Sequence, residues 1–348
     1  MILPALRRIL PWILVLGVAG GVGMGFAGGH GFDVSLLHRT DLGLLLLAAG
    51  LAFVPWAMDS VRLAAWARVL GCPLAPRQAL RVVLGSVLGS AVTPTAVGGL
   101  PVKLSLLVDE GVPAGRGLSL SMLKSLEDAA FFALALPVAF LLVGPTRPTH
   151  LAGILDSWSG EVQRLGLVAA VVLVVLLLAG LLLPWIPALR RDGERPGLRW
   201  PGRRWVQLRH WIRDFRRSWR LLRNAPRGTV ALSFGCTTVQ WLSRYSAITV
   251  LVWSLGIPAD PILFWLLQWV VFTTMVLVPT PGAAGGAEAI FALVYGPLLP
   301  PSAVGWLVMG WRLLTFYFLL LTGALAFSWL EARRKKQRIG SGCGAELD

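Results

Sequence analysis

Apolar stretches of about twenty residues recur along the chain, and they restrict its possible folds more than any other feature. A helix needs a run of this length to cross the hydrocarbon core of a bilayer, which is about 30 Å thick. Because 56% of the 348 residues are hydrophobic and only 14% are charged, these runs are not insertions in a soluble protein. The sequence therefore predicts an all-α polytopic membrane protein.

The apolar runs and the basic loops together predict six full spans with both termini in the cytoplasm. The formal net charge is +15, and the basic residues concentrate where cytoplasmic loops would lie. The first run follows a basic amino end and is long enough to span, so we predict a membrane helix there and not a cleaved signal peptide. Spans one to six cover residues 9–28, 42–67, 118–143, 165–186, 229–254 and 303–329.

Two further segments are predicted at the cytoplasmic surface. Residues 190–227 are the most basic part of the chain, and they place tryptophan, leucine and phenylalanine on one helical face and arginines on the other. This pattern is typical of a helix that lies on a membrane surface. The tail, residues 330–348, contains an arginine and lysine cluster and a Gly/Ser composition that predicts disorder. We predict that residues 1–348 form a single transmembrane domain.

An internal repeat relates two parts of the chain at a fixed offset. The offset aligns Gly71 with Gly256 and Pro94 with Pro279 without a gap. Arginines flank the turn after span two, whereas the turn after span five has no lysine or arginine nearby, so the two copies are predicted to be inverted. Each copy is predicted as a span, a re-entrant hairpin and a second span, in residues 42–144 and 229–329.

Each copy contains an apolar stretch that is broken by proline and glycine, and we predict re-entrant hairpins at residues 80–110 and 262–298. Eight full spans are the alternative, but they would place the basic 190–227 loop outside the cell. Irregular backbone at membrane depth is tolerated where it is buried in protein or lines a wet cavity. The predicted tips contain Thr93, Pro94, Gly98 and Gly99 in the first hairpin, and Pro279, Thr280, Pro281, Gly282, Gly285 and Gly286 in the second.

Ionisable side chains inside the apolar segments are candidates for a translocation site, because they are costly in a membrane and usually face a cavity or one another. Lys124, Glu127 and Asp128 are spaced so that the lysine shares a helical face with both carboxylates. The alternative is that such charges form ion pairs that fix helix register. The remaining candidates are Lys103, Arg244, Glu288 and Arg312, with Asp59 and Arg62 as further charges in span two.

The candidates around the second hairpin are the ones best placed to bind a polar ligand. Arg244, Glu288 and Arg312 flank a broken helix whose unpaired N–H and C=O groups could meet a polar ligand. Cationic groups beside a cavity suit an anionic headgroup such as a phosphate. We therefore expect a membrane lipid with an anionic or phosphate-bearing headgroup as the partner.

Other classes of function find little support in the sequence. The cysteines and histidines lack metal-ligand or redox spacing, so we predict no metal and no cofactor. No soluble basic fold surrounds the positive charges, so we predict no nucleic-acid partner. The glycine pattern GMGFAG lies inside span one and not between a strand and a helix. We find no recognisable catalytic set and predict no enzymatic activity.

The second tip resembles the signature of the lysylphosphatidylglycerol synthase transmembrane-region family. It reads PTPGAAGGAEA from Pro279 to Ala289, and the family pattern is close to P-T-P-G-G-x-G-x-R-E-A. Ala287 replaces the arginine of that pattern, and Arg244 or Arg312 could compensate for it. An earlier block, ending in SLEDAAFF, is similar to the first half of the family and keeps its aspartate as Asp128.

The resemblance implies a flippase that moves a phospholipid or a polyprenyl-phosphate-type lipid between the leaflets of the bacterial inner membrane. The aminoacyltransferase domain of fused family members has no counterpart after Phe327, so we expect no lipid aminoacylation by that route. One alternative is a secondary transporter of a small polar or anionic solute. Another is a non-catalytic scaffold for a lipid-modifying enzyme.

Overall fold

The structure is a computed structural model that describes residues 40–93, 95–143 and 224–343, and a few residues between 217 and 221. Side chains are described as far as Arg334. Predicted spans one and four, nearly all of the 190–227 segment, Pro94 and the last five residues lie outside the described residues.

The described part of the chain is helical, which confirms the predicted all-α class. We number its α-helices α1 to α9 in chain order. They are α1 (Leu42–Val69), α2 (Pro76–Ala91), α3 (Gly99–Asp109), α4 (Ala114–Val143), α5 (Arg227–Ser254), α6 (Pro261–Met275), α7 (Gly286–Tyr295), α8 (Pro301–Arg312) and α9 (Phe318–Cys343). A 3₁₀ turn at Gly296–Leu298 follows α7, and a π-helix at Leu313–Tyr317 joins α8 to α9.

Three helical segments among the described residues are long and apolar enough to cross a membrane: α1, α4 and the continuous run Pro301–Arg334. They correspond to predicted spans two, three and six. Helix α5, which corresponds to span five, also has 28 residues but is more polar. Its hydroxyl and amide groups, such as those of Thr237 and Gln240, are buried. Small polar side chains of this kind are typical of contacts between helices in membrane proteins.

Two helical hairpins lie close to their predicted positions. The first is formed by α2 and α3, which have 16 and 11 residues, and the second by α6 and α7, which have 15 and 10. All four helices are shorter than the roughly 20 residues that a full crossing requires. These lengths agree with re-entrant hairpins, whose placement in a bilayer stays a prediction.

The same order of elements occurs twice in the described chain. A long helix, a glycine turn and two short helices precede another long helical run in each half. Gly71 and Gly256 occupy the turns after α1 and α5 with φ angles of 69° and 71°, a left-handed conformation that glycine adopts without strain. The matched turns and lengths support the repeat, whereas its inversion stays a prediction.

The chain divides into two compact units. Unit 1 comprises Met1–Val61, Ala75–Leu106 and Val239–Asp348, and it includes both hairpins. Within it α2 packs against α9, where Gly85 leaves room for Phe327, and Arg81 Nε donates to Glu331 Oε2 at 2.7 Å. Unit 2 comprises Arg62–Leu74 and Leu107–Thr238. The single transmembrane domain stays a prediction.

Span six, predicted at 303–329, is present as the run Pro301–Arg334, which includes a π-helix at Leu313–Tyr317 that the sequence did not predict. One prediction about the carboxyl-terminal part of the chain is wrong. The tail was expected to be disordered from residue 330, but α9 continues to Cys343. The stretch EARRKKQR consists almost entirely of strong helix formers, whose preference outweighs the glycine and serine that follow.

Candidate functional site

The second tip, residues 276–285, joins α6 to α7 through left-handed backbone. Gly282, Ala283 and Gly285 have φ angles of 61°, 54° and 82°. Non-glycine residues in this conformation cost free energy and are concentrated at functional sites. A Cβ atom at Gly282 would collide with the ring of Phe316, so only glycine fits between that ring and the tip.

Glu288 and Arg312 form a buried ion pair beside the second tip. Glu288 lies in the first turn of α7, where the helix dipole favours a negative charge, and it is 0% exposed. Arg312 is the last residue of α8 and is 2% exposed. Its Nε donates to Glu288 Oε1 at 2.7 Å, and its Nη2 donates to the carbonyl oxygen of Gly282 at 3.0 Å. Arg312 therefore neutralises the carboxylate and also satisfies a carbonyl group of the tip.

Several polar atoms around this pair have no hydrogen-bond partner among the residues that the structure describes. They are the second carboxylate oxygen of Glu288, the indole nitrogen of Trp311 and the hydroxyl of Tyr317, all of which are enclosed. Buried polar groups in native proteins are normally hydrogen-bonded, and an unpaired one costs about 1–3 kcal/mol. An acceptor and two donors next to a buried arginine thus have the chemistry of a site for a polar ligand.

Aromatic rings connect Arg312 to Arg244. The guanidinium carbon of Arg312 lies 5.0 Å from the ring centre of Phe316 and 5.7 Å from that of Trp311. Arg244 lies over Phe272 at 5.0 Å, and Phe272 meets Trp311 edge-on at 6.2 Å. Two of the predicted cations are therefore held in one aromatic layer, where cation–π attraction can stabilise them.

The π-helix carries the rings that complete this site. It begins directly after Arg312 and contains both Phe316 and Tyr317. Such single-turn widenings occur frequently at functional sites because they change the direction of the side chains that follow. In this π-helix, Phe316 packs against Gly282, and the hydroxyl of Tyr317 has no hydrogen-bond partner among the described residues.

The first tip, residues 92–98, is held by bonds within its own hairpin. Thr93 Oγ1 donates to the carbonyl oxygen of Gly89 at 2.9 Å and accepts from the backbone N–H of Gly98 at 2.8 Å. Thr95 and Ala96 adopt left-handed φ angles of 51° and 57°. Lys103, on α3, is buried with 7% exposure.

A second group of charges lies within unit 2. We call it the Arg62 cluster. Arg62 is 2% exposed, and its Nη1 and Nη2 each donate to Asp128 Oδ1 at 3.1 Å. Its Nε lies 3.2 Å from Glu127 Oε2. The cluster consists of Arg62 and Trp66 on α1, Lys124, Glu127 and Asp128 on α4, and Ser233 and Thr237 on α5.

The predicted site residues are thus found in separate groups. Glu288 and Arg312, which were predicted separately as site residues, form an ion pair. Arg244 contacts Phe272, whose ring meets that of Trp311 beside Arg312. Lys124 Nζ lies 3.7 Å from Asp128 Oδ2, while Glu127 Oε2 lies 3.2 Å from Arg62 Nε. That Lys124 shares a helical face with both carboxylates stays a prediction.

Sequence reasoning missed the part played by Trp66, Tyr317 and Phe316. Trp66 stands four residues after Arg62, and this spacing on one helical face was a usable signal. No comparable signal marks the π-helix. Within the described residues, no group of three or more His, Cys, Asp or Glu side chains could hold a metal ion.

Residues 12–323 match the family described as the lysylphosphatidylglycerol synthase TM region. The chain belongs to this family. The resemblance of the second tip is thereby confirmed, and the chain is a multi-pass membrane protein. It is similar to an Archaeoglobus fulgidus protein described as "UPF0104 membrane protein", with 24% identity over 318 residues that cover 86% of this chain and 90% of the relative.

Proposed function

We propose that this member of the lysylphosphatidylglycerol synthase TM-region family moves a phospholipid or polyprenyl-phosphate-type lipid between the leaflets of a membrane. The headgroup passes the site formed by Glu288, Arg312 and the second tip, while the lipid tails stay in the hydrocarbon. The observation that carries this proposal is the buried Glu288–Arg312 pair with its unpaired carboxylate oxygen at a broken helix.

A phosphate-bearing headgroup suits the hydrogen-bonding groups of the site. Arg312 uses Nε and Nη2 within the protein, and no described contact occupies its Nη1. A guanidinium binds phosphate oxygens well because its planar donors match their geometry. The indole N–H of Trp311 and the hydroxyl of Tyr317 are two further donors with no partner. Together they could replace part of the hydration that a headgroup loses on leaving water.

Exposed apolar residues beside the polar site favour a lipid over a small solute. Leu313 directly follows Arg312 and is 58% exposed, and Val276, at the start of the second tip, is 63% exposed. A lipid presents a polar group and an apolar chain together, and this juxtaposition offers a surface for each.

Translocation should be measured on the full chain in vesicles that contain a headgroup-labelled phospholipid, by the fraction of label that becomes accessible from the opposite leaflet. We expect Glu288→Gln and Arg312→Ala to abolish translocation. Glu288→Gln keeps the size of the side chain but removes the negative charge that Arg312 faces. Arg312→Ala removes the guanidinium that donates hydrogen bonds to the phosphate.

The matched control is Glu331→Gln, which disrupts another ion pair of unit 1, in which Arg81 is buried and Glu331 is 22% exposed. Arg81 and Glu331 are also 2.7 Å apart, but they join α2 to α9 and not the second tip. Translocation per folded protein should persist in this control. Wild-type rates in both tip variants would overturn the site. A wild-type chain that transports an anionic solute and no lipid would establish the alternative transporter, and one that moves neither would favour a scaffold.

A further inference from the structure

The Arg62 cluster is chemically different from the site at the second tip. It contains two carboxylates on adjacent residues, Glu127 and Asp128, and the cations of Arg62 and Lys124. Adjacent buried carboxylates repel each other when both are ionised, and one of them can then bind a proton. The question is which carboxylate has the weaker support for its negative charge.

Asp128 has close contacts with two cations. Its Oδ1 accepts from both terminal nitrogens of Arg62 at 3.1 Å, and Lys124 Nζ lies 3.7 Å from its Oδ2. Charge-assisted bonds of this kind are about twice as strong as bonds between neutral groups. Asp128 is also 19% exposed at its side chain, so it keeps some contact with the surroundings of the protein.

Glu127 has much less support as an anion. Its Oε1 accepts from Trp66 Nε1 at 2.9 Å and from Ser233 Oγ at 2.6 Å, and both of these donors are neutral. Its Oε2 lies 3.2 Å from Arg62 Nε but is enclosed and accepts no hydrogen bond. A proton on Oε2 would leave Oε1 as a carbonyl oxygen that can still accept from the same two donors.

We propose that Glu127 is a proton-binding site that couples the lipid movement proposed above to the proton gradient. Binding forms an O–H bond at Oε2 and turns the carboxylate into a carboxylic acid, with no oxidation or reduction. The proton comes from the aqueous phase on one side of the membrane and is released to the other side. This inference rests on the proposed function for its coupling, but the proton site itself does not.

Protonation of Glu127 changes the charge around Arg62. The guanidinium loses the negative charge 3.2 Å from its Nε and keeps its bonds to Asp128 and to Thr237 Oγ1. Arg62 is then held by α4 through one carboxylate and not two. Besides Arg62, the groups that face Glu127 are Trp66 on α1, Asp128 on α4, and Ser233 and Cys236 on α5, while Lys124 contacts Asp128 and Arg62, and Thr237 contacts Arg62.

Infrared spectroscopy tests the proton site directly. The wild-type spectrum minus the Glu127→Gln spectrum, for the full chain in nanodiscs of ether-linked phospholipid, should show one carboxylic-acid C=O band that disappears as the pH is raised. Subtraction of the Glu331→Gln spectrum, in which a half-buried carboxylate of another ion pair is removed, should leave this band out of the difference. A Glu127→Gln difference spectrum without a titrating band would overturn the proposal. If Glu127→Gln fails to fold, Ser233→Ala should shift the midpoint of the band, and an unmoved midpoint would contradict the site.

Vesicles with an imposed pH difference test the coupling. For one coupled proton, a difference of one pH unit can change the leaflet distribution of the lipid by up to about tenfold. We expect the leaflet distribution of the lipid to depend on the pH difference in the wild type and to be independent of it in Glu127→Gln. Absent wild-type translocation would overturn the proposed function, while the infrared band still decides the proton site. Wild-type translocation that does not depend on the pH difference would overturn the proposed coupling to the proton gradient and nothing else.

Discussion

The two hairpin tips both contain strained left-handed backbone, but their hydrogen bonds differ. Both contain non-glycine residues in the left-handed region, at Thr95 and Ala96 in the first tip and at Ala283 in the second. The described bonds of the first tip come from its own hairpin, chiefly through Thr93. The second tip has its Gly282 carbonyl satisfied by Arg312, which belongs to another helix and carries a charge.

The difference indicates that the unpaired buried polar groups described at the tips of unit 1 lie at the second tip. In the first tip, Thr93 matches a donor and an acceptor of the same hairpin, so these groups need no ligand. The second tip also has an internal bond, from Thr280 Oγ1 to the carbonyl oxygen of Ala284 at 3.0 Å, and it differs in its added contact with an ion pair that leaves one carboxylate oxygen unpaired. Buried ion pairs are weak evidence for stability, and under the proposed function this one takes part in binding the headgroup.

The largest effect on stability is expected for Glu288→Ala. This change leaves Arg312 buried without its carboxylate, and breaking a buried pair by removing one partner costs about 3–5 kcal/mol. The free energy of unfolding should be measured in detergent with a denaturant titration. A loss below about 1 kcal/mol would mean that Arg312 is stabilised by other contacts.

Alanine at either tip glycine should destabilise the fold to a smaller and similar degree. At Gly98 a Cβ atom would lie 2.7 Å from the carbonyl oxygen of Gly89, and at Gly282 it would collide with Phe316. Overpacking of this kind costs about 1–3 kcal/mol. Translocation per folded protein should fall only in Gly282→Ala, because that change moves the ring beneath Arg312. An equal fall in Gly98→Ala would remove the functional distinction between the tips.

Thr93→Val should have a milder effect on stability. It removes the hydroxyl that bonds to Gly89 and Gly98 but keeps the shape of the side chain. The expected loss is about 1 kcal/mol, the usual net value of a hydrogen bond. Thermal unfolding of the purified protein measures it, and Thr93→Ser, which keeps the hydroxyl, serves as the control. If both variants lose equal stability, the hydroxyl bonds do not hold the first tip.

The smallest effect on stability is expected for the double variant Glu288→Leu with Arg312→Met. Replacement of a buried ion pair by apolar residues of similar volume is often neutral or stabilising. The double variant should therefore unfold near the wild-type denaturant concentration and yet fail to move lipid. If it moves lipid at the wild-type rate, the pair has no part in translocation.

Much of this fold could be predicted from the sequence, because hydrophobic run lengths and helix breakers report directly on helix boundaries. Helix α1 was predicted at 42–67 and spans Leu42–Val69, and the Glu288–Arg312 partners were both named. The contacts of Arg62 could not be predicted. Its partners Glu127 and Thr237 lie on two other helices far along the chain, and only the packing of those helices selects them.

The π-helix was beyond sequence reasoning for a different reason. Its residues, Leu313–Tyr317, have the same apolar character as a regular helix of span six. A change of one residue in the hydrogen-bond ladder alters no hydropathy pattern, so nothing in the run signals it. The position of Phe316 against Gly282 follows from this change and was missed for the same reason.

The central claim is that the headgroup binds at the second tip and not at the first. A phospholipid with a photoactivatable headgroup, crosslinked to the full chain in vesicles and mapped by peptide mass spectrometry, tests it most directly. Adducts should fall on residues 276–288 and on the segment around Arg312, and Glu288→Gln should reduce them. Adducts that fall equally on residues 92–98, or that are unchanged in Glu288→Gln, would contradict the claim.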